Sequence, residues 1–248
     1  MIDSGGTCSN VVSYVQGLGI TTIDYHFATH YHADHIRCLD DLVDAGITVG
    51  TACYDRGGSR ATNTFDDYAA ACGAKRQTAT KGQVTTLAST VTITVVDLNG
   101  AGVSTSDENA LGMVLLVSYG DFEHVFAGDL PGESPDIESV IGPEVGDVDM
   151  CKVNHHGSKF SSTNDWLDAI DAEVCVLSVG NNGFGHPTAA ALGRLHAHGV
   201  NVYWTNDGSG VAPDPEWDNV ANSSIIIEVG ESSYDVKAGE RRDTFPIS

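Results

Sequence analysis

FATHYHADHIRCL, residues 27–39, places His30, His32, Asp34 and His35 within six positions of a chain that has only ten histidines. One histidine in a polar loop is ordinary. Four metal-capable side chains in the order H-x-H-x-D-H are not, because neutral imidazoles and carboxylates brought together on fixed backbone are what a divalent cation requires. The residues on either side say how the backbone fixes them. ITTIDYHFAT, residues 20–29, reads as a strand running into the cluster, and Ile36, Leu39, Leu42 and Val43 follow at helical spacing until Gly46 closes the segment. The cluster therefore lies at a strand-to-helix junction, where the helix N-terminus adds positive potential. His30 and His32 fall on one side of an extended segment, while Asp34 and His35 turn inward at the helix start. Two separate pairs predict two metals.

Outward from this point, strand and helix signals alternate. The sequence predicts a helix over residues 10–18 capped by Ser9, a strand over 47–50, a helix over 62–72 and a strand over 90–97. LGMVLLVSYGDFEHVFAGD, residues 111–129, reads as a hairpin turning at Tyr119, Gly120 and Asp121. Residues 148–153 form a strand that empties into polar residues, 163–170 a short helix, 172–180 a buried strand, and 187–198 a helix with Pro187 near its first turn. NVYWTND and SSIIIEV supply closing strands, and the residues from Gly239 onward are expected to fray. Without repeat, low-complexity run or linker, residues 1–248 are expected to form one α/β or α+β domain.

Composition narrows the rest. The chain has 34 acidic and 12 basic residues, a net charge of −22 spread along its length, and 41% hydrophobic residues, enough for a packed core. Such a surface repels polyanions at ordinary ionic strength and suits a salt-adapted, halophilic source. No stretch approaches the roughly 20 apolar residues that cross a bilayer. MIDSGGTCSN lacks the features of a signal peptide, which favours the cytoplasm while leaving the compartment open. Six scattered cysteines without a C-x-x-C pair read as buried or free thiols, with a Cys53–Cys72 disulfide not excluded.

Further ligand-type residues stand where strands end. Asp129 follows an apolar strand, and a carboxylate can bridge two cations about 3.5–4 Å apart. His155 and His156 in KVNHHGS follow another strand, and His186 in NNGFGHPT lies in a glycine-rich loop before a helix. Together with the first cluster these converge on the carboxyl ends of strands, where open sheets bind ligands.

THYHADH, FAGD, HHGS and GHP, in this order, resemble the metallo-β-lactamase superfamily, and within it the branch of the DNA-uptake protein ComEC and its stand-alone relatives, over roughly residues 2–207. The resemblance implies a four-layer αββα sandwich lacking its first N-terminal strands, with an exposed sheet edge, and two divalent metal ions, zinc by default and manganese as the alternative. It assigns His30 and His32 to the first metal, Asp34 and His35 to the second, and Asp129 between them. One of His155 and His156 completes the set, since adjacent strand residues point to opposite faces. Ser158, Lys159 and His186 are implied as substrate-facing groups. Many members carry a further histidine ligand between the first cluster and the bridging aspartate. Here that interval holds only His124, inside a predicted strand, and Asn109 is implied near the metals instead.

The expected activity is metal-dependent hydrolysis, in which a hydroxide activated by the two metals attacks the substrate, with Asp34 orienting it and His186 stabilising charge. The branch points to a phosphodiester, DNA included. The charge disfavours a nucleic acid, because no basic track or aromatic ladder is visible. A β-lactam or lactone substrate, and a non-catalytic metal-binding protein, are the alternatives; the oligomeric state is left open.

Overall fold

Alternation in VTITVV, residues 91–96, gives a strand with Val91, Ile93 and Val95 on one face, and the same pattern governs how the sheets of this protein stack. The computed structural model describes residues 1–88 and 90–248. Its first half consists of helix α1 (Cys8–Gly17), strand β1 (Thr22–Phe27), short helices α2 (Ala33–Ile36) and α3 (Leu39–Asp44), β2 (Thr48–Asp55), α4 (Asn63–Cys72), β3 (Arg76–Thr78), β4 (Val84–Ala88), β5 (Val91–Asp97), β6 (Val114–Tyr119) and β7 (Phe122–Phe126). The second half adds α5 (Glu138–Val145), β8 (Met150–Lys152), α6 (Asn164–Ile170), β9 (Val174–Leu177), α7 (Ala189–Ala197), β10 (Asn201–Trp204), β11 (Asp218–Val220), β12 (Ile225–Val229), β13 (Ser233–Ala238) and β14 (Arg241–Pro246).

Eight strands form the large sheet, in the order β11-β10-β9-β8-β7-β6-β5-β4, and a parallel three-stranded sheet, β1-β2-β3, lies against it. Register shows which residues meet. Val95 pairs with Leu115 and Leu115 with Phe126, so these share the face that packs on Phe27 of β1. On the opposite face Val125, Cys151, Cys175 and Val202 bury against Ile141 of α5, Trp166 of α6 and Leu195 of α7. The outer face of the small sheet buries Ile23 and Cys53 under Val15 of α1, Leu42 of α3 and Phe65 of α4. Helices, two sheets and helices make four αββα layers, as expected.

The third sheet, β12-β13-β14, is antiparallel and sets Tyr234 and Val236 against Phe122, Met150, Val174 and Tyr203 on the inner face of the large sheet. The tail beyond Gly239 does not fray: β14 pairs with β13 from Arg241↔Ala238 to Pro246↔Ser233. Residues 1–3 lie along β1, with Phe27 N–H donating to Met1 O and Asp3 N–H to Phe27 O, and no strand among the described residues pairs with their far side. A cleft of about 1250 Å³ runs from this edge, past Phe126 and Lys152, to Ile225 and Ile227 of β12.

The cysteines are not free thiols. All six pair, as Cys8–Cys38, Cys53–Cys72 and Cys151–Cys175. Spacing could not reveal the first and third, because the fold brings together residues 30 and 24 positions apart. No helix among the described residues is long and apolar enough to cross a membrane.

Candidate metal centre

Strand β1 delivers Thr29 and His30 to the edge where the two sheets meet, and α2 begins two residues beyond Tyr31 with His32 at its N-cap. The segment before α1 locks this junction. Ser4 N–H donates to His35 O and Cys38 N–H to Ser4 O, and the approach is so close that a Cβ on Gly5 would lie 1.5 Å from Asp34 O. The loop after β7 closes in from the other sheet. Gly128 has φ +57°, and a Cβ there would meet Thr29 Oγ1 at 2.7 Å, so glycine is required on both conformational and steric grounds.

Asp129 is the centre of what these loops assemble. Its Oδ1 lies 3.2 Å from His35 Nε2 and 3.3 Å from His156 Nε2, while its Oδ2 lies 3.9 Å from His30 Nε2 and 3.8 Å from His155 Nε2. His30 Nε2 is 3.0 Å from His32 Nδ1, His35 Nε2 is 3.3 Å from His156 Nε2, and His156 Nε2 is 3.5 Å from Asp34 Oδ2. Two sets of ligand-type atoms each fall within 4.8 Å of one another: Asp34, His35, Asp129 and His156, and His30, His32 and Asp129.

The outer nitrogens are committed elsewhere. His35 Nδ1 donates to Asp3 Oδ2 at 2.7 Å and His156 Nδ1 to the carbonyl of Ser178 at 2.7 Å. Thr29 Oγ1 donates to Asp3 Oδ2 and accepts from His30 Nδ1 at 3.2 Å. Each of these bonds leaves the Nε2 lone pair facing inward, the tautomer a metal ligand needs.

The electrostatics are those of a cation site. Burial alone would lower the pKa of His35, but Asp129 and Asp3 outweigh it and push it up to about 10. Burial would raise Asp129 and Asp34, but neighbouring histidines hold both below the usual carboxylate range. Burial, with His35 beside it, holds His30 well below its ordinary value. Asp129 is 3% exposed and its Oδ1 receives no hydrogen bond among the described residues. A buried carboxylate oxygen without a donor, facing imidazole lone pairs, is costly unless a positive charge sits among them. The donor set of nitrogen and carboxylate oxygen fits two divalent cations of the zinc or manganese type.

The pair His155 and His156 departs from the strand expectation. Both residues lie in a turn, Asn154–Gly157, with left-handed backbones at φ +48° and +52°. Their rings therefore reach the same carboxylate instead of opposite faces. His186 lines the cleft, and its ring centre is 5.6 Å from that of His155. Ser158 is buried with its Oγ accepting from Phe160 N–H, and Lys159 is exposed with its ammonium over the Phe160 ring. Asn109 is half-buried in the loop that packs over Thr29 and Tyr31; its Oδ1 has no hydrogen-bond partner among the described residues. His124 is buried in β7, stacked on Phe126.

Three supporting carboxylates and a lysine escaped the sequence reading. Asp3 accepts from Thr29 N–H as well as from His35. Glu108 accepts from Tyr31 N–H, between the two histidines of the first pair, and is itself held by Arg56 and Arg60. Glu138, fully buried, accepts from Asn154 Nδ2, Ser162 N–H and Thr163 N–H and so holds the turn that carries His155 and His156. Lys152 donates to Gly128 O and lies 3.8 Å from Asp129 Oδ1. Asp3 alone left a signal, an acidic residue before a Ser-Gly-Gly turn; the others are distant in sequence from what they hold.

A family model described as the metallo-beta-lactamase superfamily matches residues 1–181. The chain is 34% identical over 103 residues to the competence protein ComA of Neisseria gonorrhoeae, covering 40% of this chain and 15% of that protein. It is 28% identical over 102 residues to ComE operon protein 3 of Bacillus subtilis, covering 41% of this chain and 13% of that protein. The chain thus spans a small part of the length of these relatives. Among solved structures, the metallo-beta-lactamase fold protein YhfI from Bacillus subtilis superposes with a TM-score of 0.53 at 16% identity, covering 84% of this chain and 83% of that one. With the fold, the ligand-type clusters and the family match in agreement, the chain belongs to the metallo-β-lactamase superfamily.

Proposed function

We propose that this protein is a metal-dependent hydrolase of phosphodiesters, working with two divalent cations, zinc in preference to manganese. His30 and His32 would hold one, and Asp34, His35 and His156 the other, with Asp129 common to both sets. The observation that carries this reading is that the two ligand-type clusters share Asp129. Divalent cations held there would supply a nucleophile from water at neutral pH and neutralise charge at the attacked centre.

The protein's own groups do the rest. Asp34, whose side chain is 59% exposed, orients the attacking water from the open side of the cluster. His186 faces the cleft and hydrogen-bonds the oxygen on which charge develops. Lys159 and Asn109 remain the substrate-side residues of this reading, whereas Ser158 is buried with its Oγ accepting from Phe160 N–H and does not face the cleft. The resemblance to the branch of the DNA-uptake protein ComEC favours a phosphodiester, while a net charge of −22 favours a small one over a polynucleotide. Three disulfides favour an oxidising compartment over the cytoplasm.

Zinc- or manganese-loaded protein is assayed on bis(p-nitrophenyl) phosphate, a single-stranded oligonucleotide, nitrocefin and a lactone, at low and molar salt, beside Asp129→Ala. Turnover of the small phosphodiester that Asp129→Ala abolishes is the expected result. Turnover of nitrocefin or the lactone alone would replace the phosphodiester reading with an acyl one. Two bound metals without turnover of any substrate would make this a binding protein.

A further inference from the structure

We infer that His155 is a ligand of the first cation, so that both histidines of the HHGS turn hold metal, one on each side of Asp129. This rests on the two-cation reading above and assigns a residue that reading leaves out.

The two sides of Asp129 are built unequally. Its Oδ1 side has Asp34, His35 and His156, and its Oδ2 side has only His30 and His32 within the tight cluster. A cation on the Oδ2 side would hold two imidazoles and a share of one carboxylate, fewer groups than its neighbour. The chain offers no histidine in the interval between His35 and Asp129 to make up the difference except His124, which is buried against Phe126 in β7. His155 is placed to do so. Its Nε2 is 3.8 Å from Asp129 Oδ2, matching the 3.9 Å of His30 Nε2 from the same oxygen. It stands outside the tight cluster, yet its ring is 28% exposed and makes no hydrogen bond among the described residues, so no hydrogen bond has to break for it to turn toward His30 and His32.

The backbone supplies the second argument. Non-glycine residues in the left-handed region are strained, and here two occur in succession, φ +48° and ψ +44° at His155, φ +52° and ψ +29° at His156. If His156 alone were needed, an ordinary strand end would deliver one ring at no such cost. Consecutive left-handed residues bring both rings to one side. The turn is also pinned at this spot, since His155 N–H donates to Gly128 O, the residue before Asp129.

The test is zinc titration against a chromophoric chelator, with wild type, His32→Asn, His155→Asn and His156→Asn. Asparagine is chosen because it tolerates the left-handed backbone, and His155→Gly, which tolerates it better, serves as a second variant should the first fold poorly. Wild type should bind two zinc ions. His155→Asn and His32→Asn should weaken the same one of the two binding steps by at least about 100-fold, more than the roughly 10–100-fold that follows loss of a mere hydrogen bond to a ligand. His156→Asn should weaken the other. If His155→Asn and His155→Gly both bind two zinc ions as wild type does, the assignment is wrong, even if turnover falls, because His155 would then touch substrate and not metal. Fewer than two zinc ions on wild type would instead overturn the two-cation reading itself.

Discussion

Replacing Asp3 by asparagine changes one atom and tests how the second cation site is held. The carboxylate accepts from Thr29 N–H at 2.7 Å with Oδ1, and from Thr29 Oγ1 at 2.9 Å and His35 Nδ1 at 2.7 Å with Oδ2. An amide of the same shape has a single acceptor oxygen. Left facing Thr29 N–H, it turns its NH2 toward His35 Nδ1, which must then accept a hydrogen bond. The imidazole proton moves to Nε2, the atom 3.2 Å from Asp129 Oδ1, and the lone pair a cation needs is lost. With the amide reversed, two donors face each other at Thr29. Either way one hydrogen bond to a charged acceptor disappears, worth about 1.5–3 kcal/mol. That corresponds to roughly 10–100-fold in affinity for the cation on the Asp34–His35 side, in line with other losses of a partner behind a ligand. Competition with a zinc chelator at pH 7.5 reads the two binding steps separately, and circular dichroism checks that the fold survives. Equal affinity of Asp3→Asn and wild type at both steps would refute the claim that Asp3 sets the tautomer of His35.

Acid should destabilise the metal-free protein through its buried histidines, His26, His30 and His124. Burial lowers the pKa of His26 and of His124 to about 3 each, so below about pH 6.5 the unfolded chain takes up protons that the folded chain refuses, and stability falls as pH falls toward 3. His26 and His124 each contribute about 2 kcal/mol of that loss by pH 5, and His124→Leu should remove its own share; an unchanged urea midpoint between pH 6.5 and 5 would contradict it. The disulfides close loops of 30, 19 and 24 residues, each worth at most about 3–4 kcal/mol, so reductant should lower the melting temperature. Alkylation of denatured, unreduced protein should label no cysteine, and six labelled thiols would dismiss the pairing. Molar potassium chloride should raise stability by screening a net charge of −22, and a urea midpoint indifferent to salt would count against salt adaptation.

What the sequence made legible was local. H-x-H-x-D-H is contiguous, and its strand-to-helix setting follows from hydrophobic spacing on either side, so β1, α2 and α3 were predictable; the structure merely splits the expected helix at Arg37–Cys38. Asp129, His155, His156 and His186 were readable as strand-end residues because polar groups after an apolar run are conspicuous. The errors came where geometry is not periodic. Two left-handed residues at His155 and His156 break the alternation on which the opposite-faces argument depended. Cys8–Cys38 and Cys151–Cys175 join positions whose proximity exists only after β8 has paired with β9 and residues 4–6 have docked on α2. The β14 strand is polar because it is an edge, exposed at Arg242, Thr244 and Pro246 by turns, and polarity at a chain end mimics fraying.

The carboxylates that were not legible share one physical role. The candidate ligands sit in loops and at a helix start, where backbone N–H groups have no ladder to join. Asp3 takes up that of Thr29, Glu108 that of Tyr31, and Glu138 those of Ser162 and Thr163. Each carboxylate then uses its remaining acceptor capacity on a side chain that fixes a ligand or its loop: His35 for Asp3, Arg56 and Arg60 for Glu108, Asn154 for Glu138. An ionised carboxylate is suited to this because it offers about four acceptor sites and binds N–H groups more strongly than a neutral oxygen can. In a chain with 34 acidic residues, a few turned inward therefore hold the loops while most remain at the surface. It follows that neutralising Glu108 should loosen His30 and His32 together, as a unit, and leave the cation beside Asp34 and His35 in place.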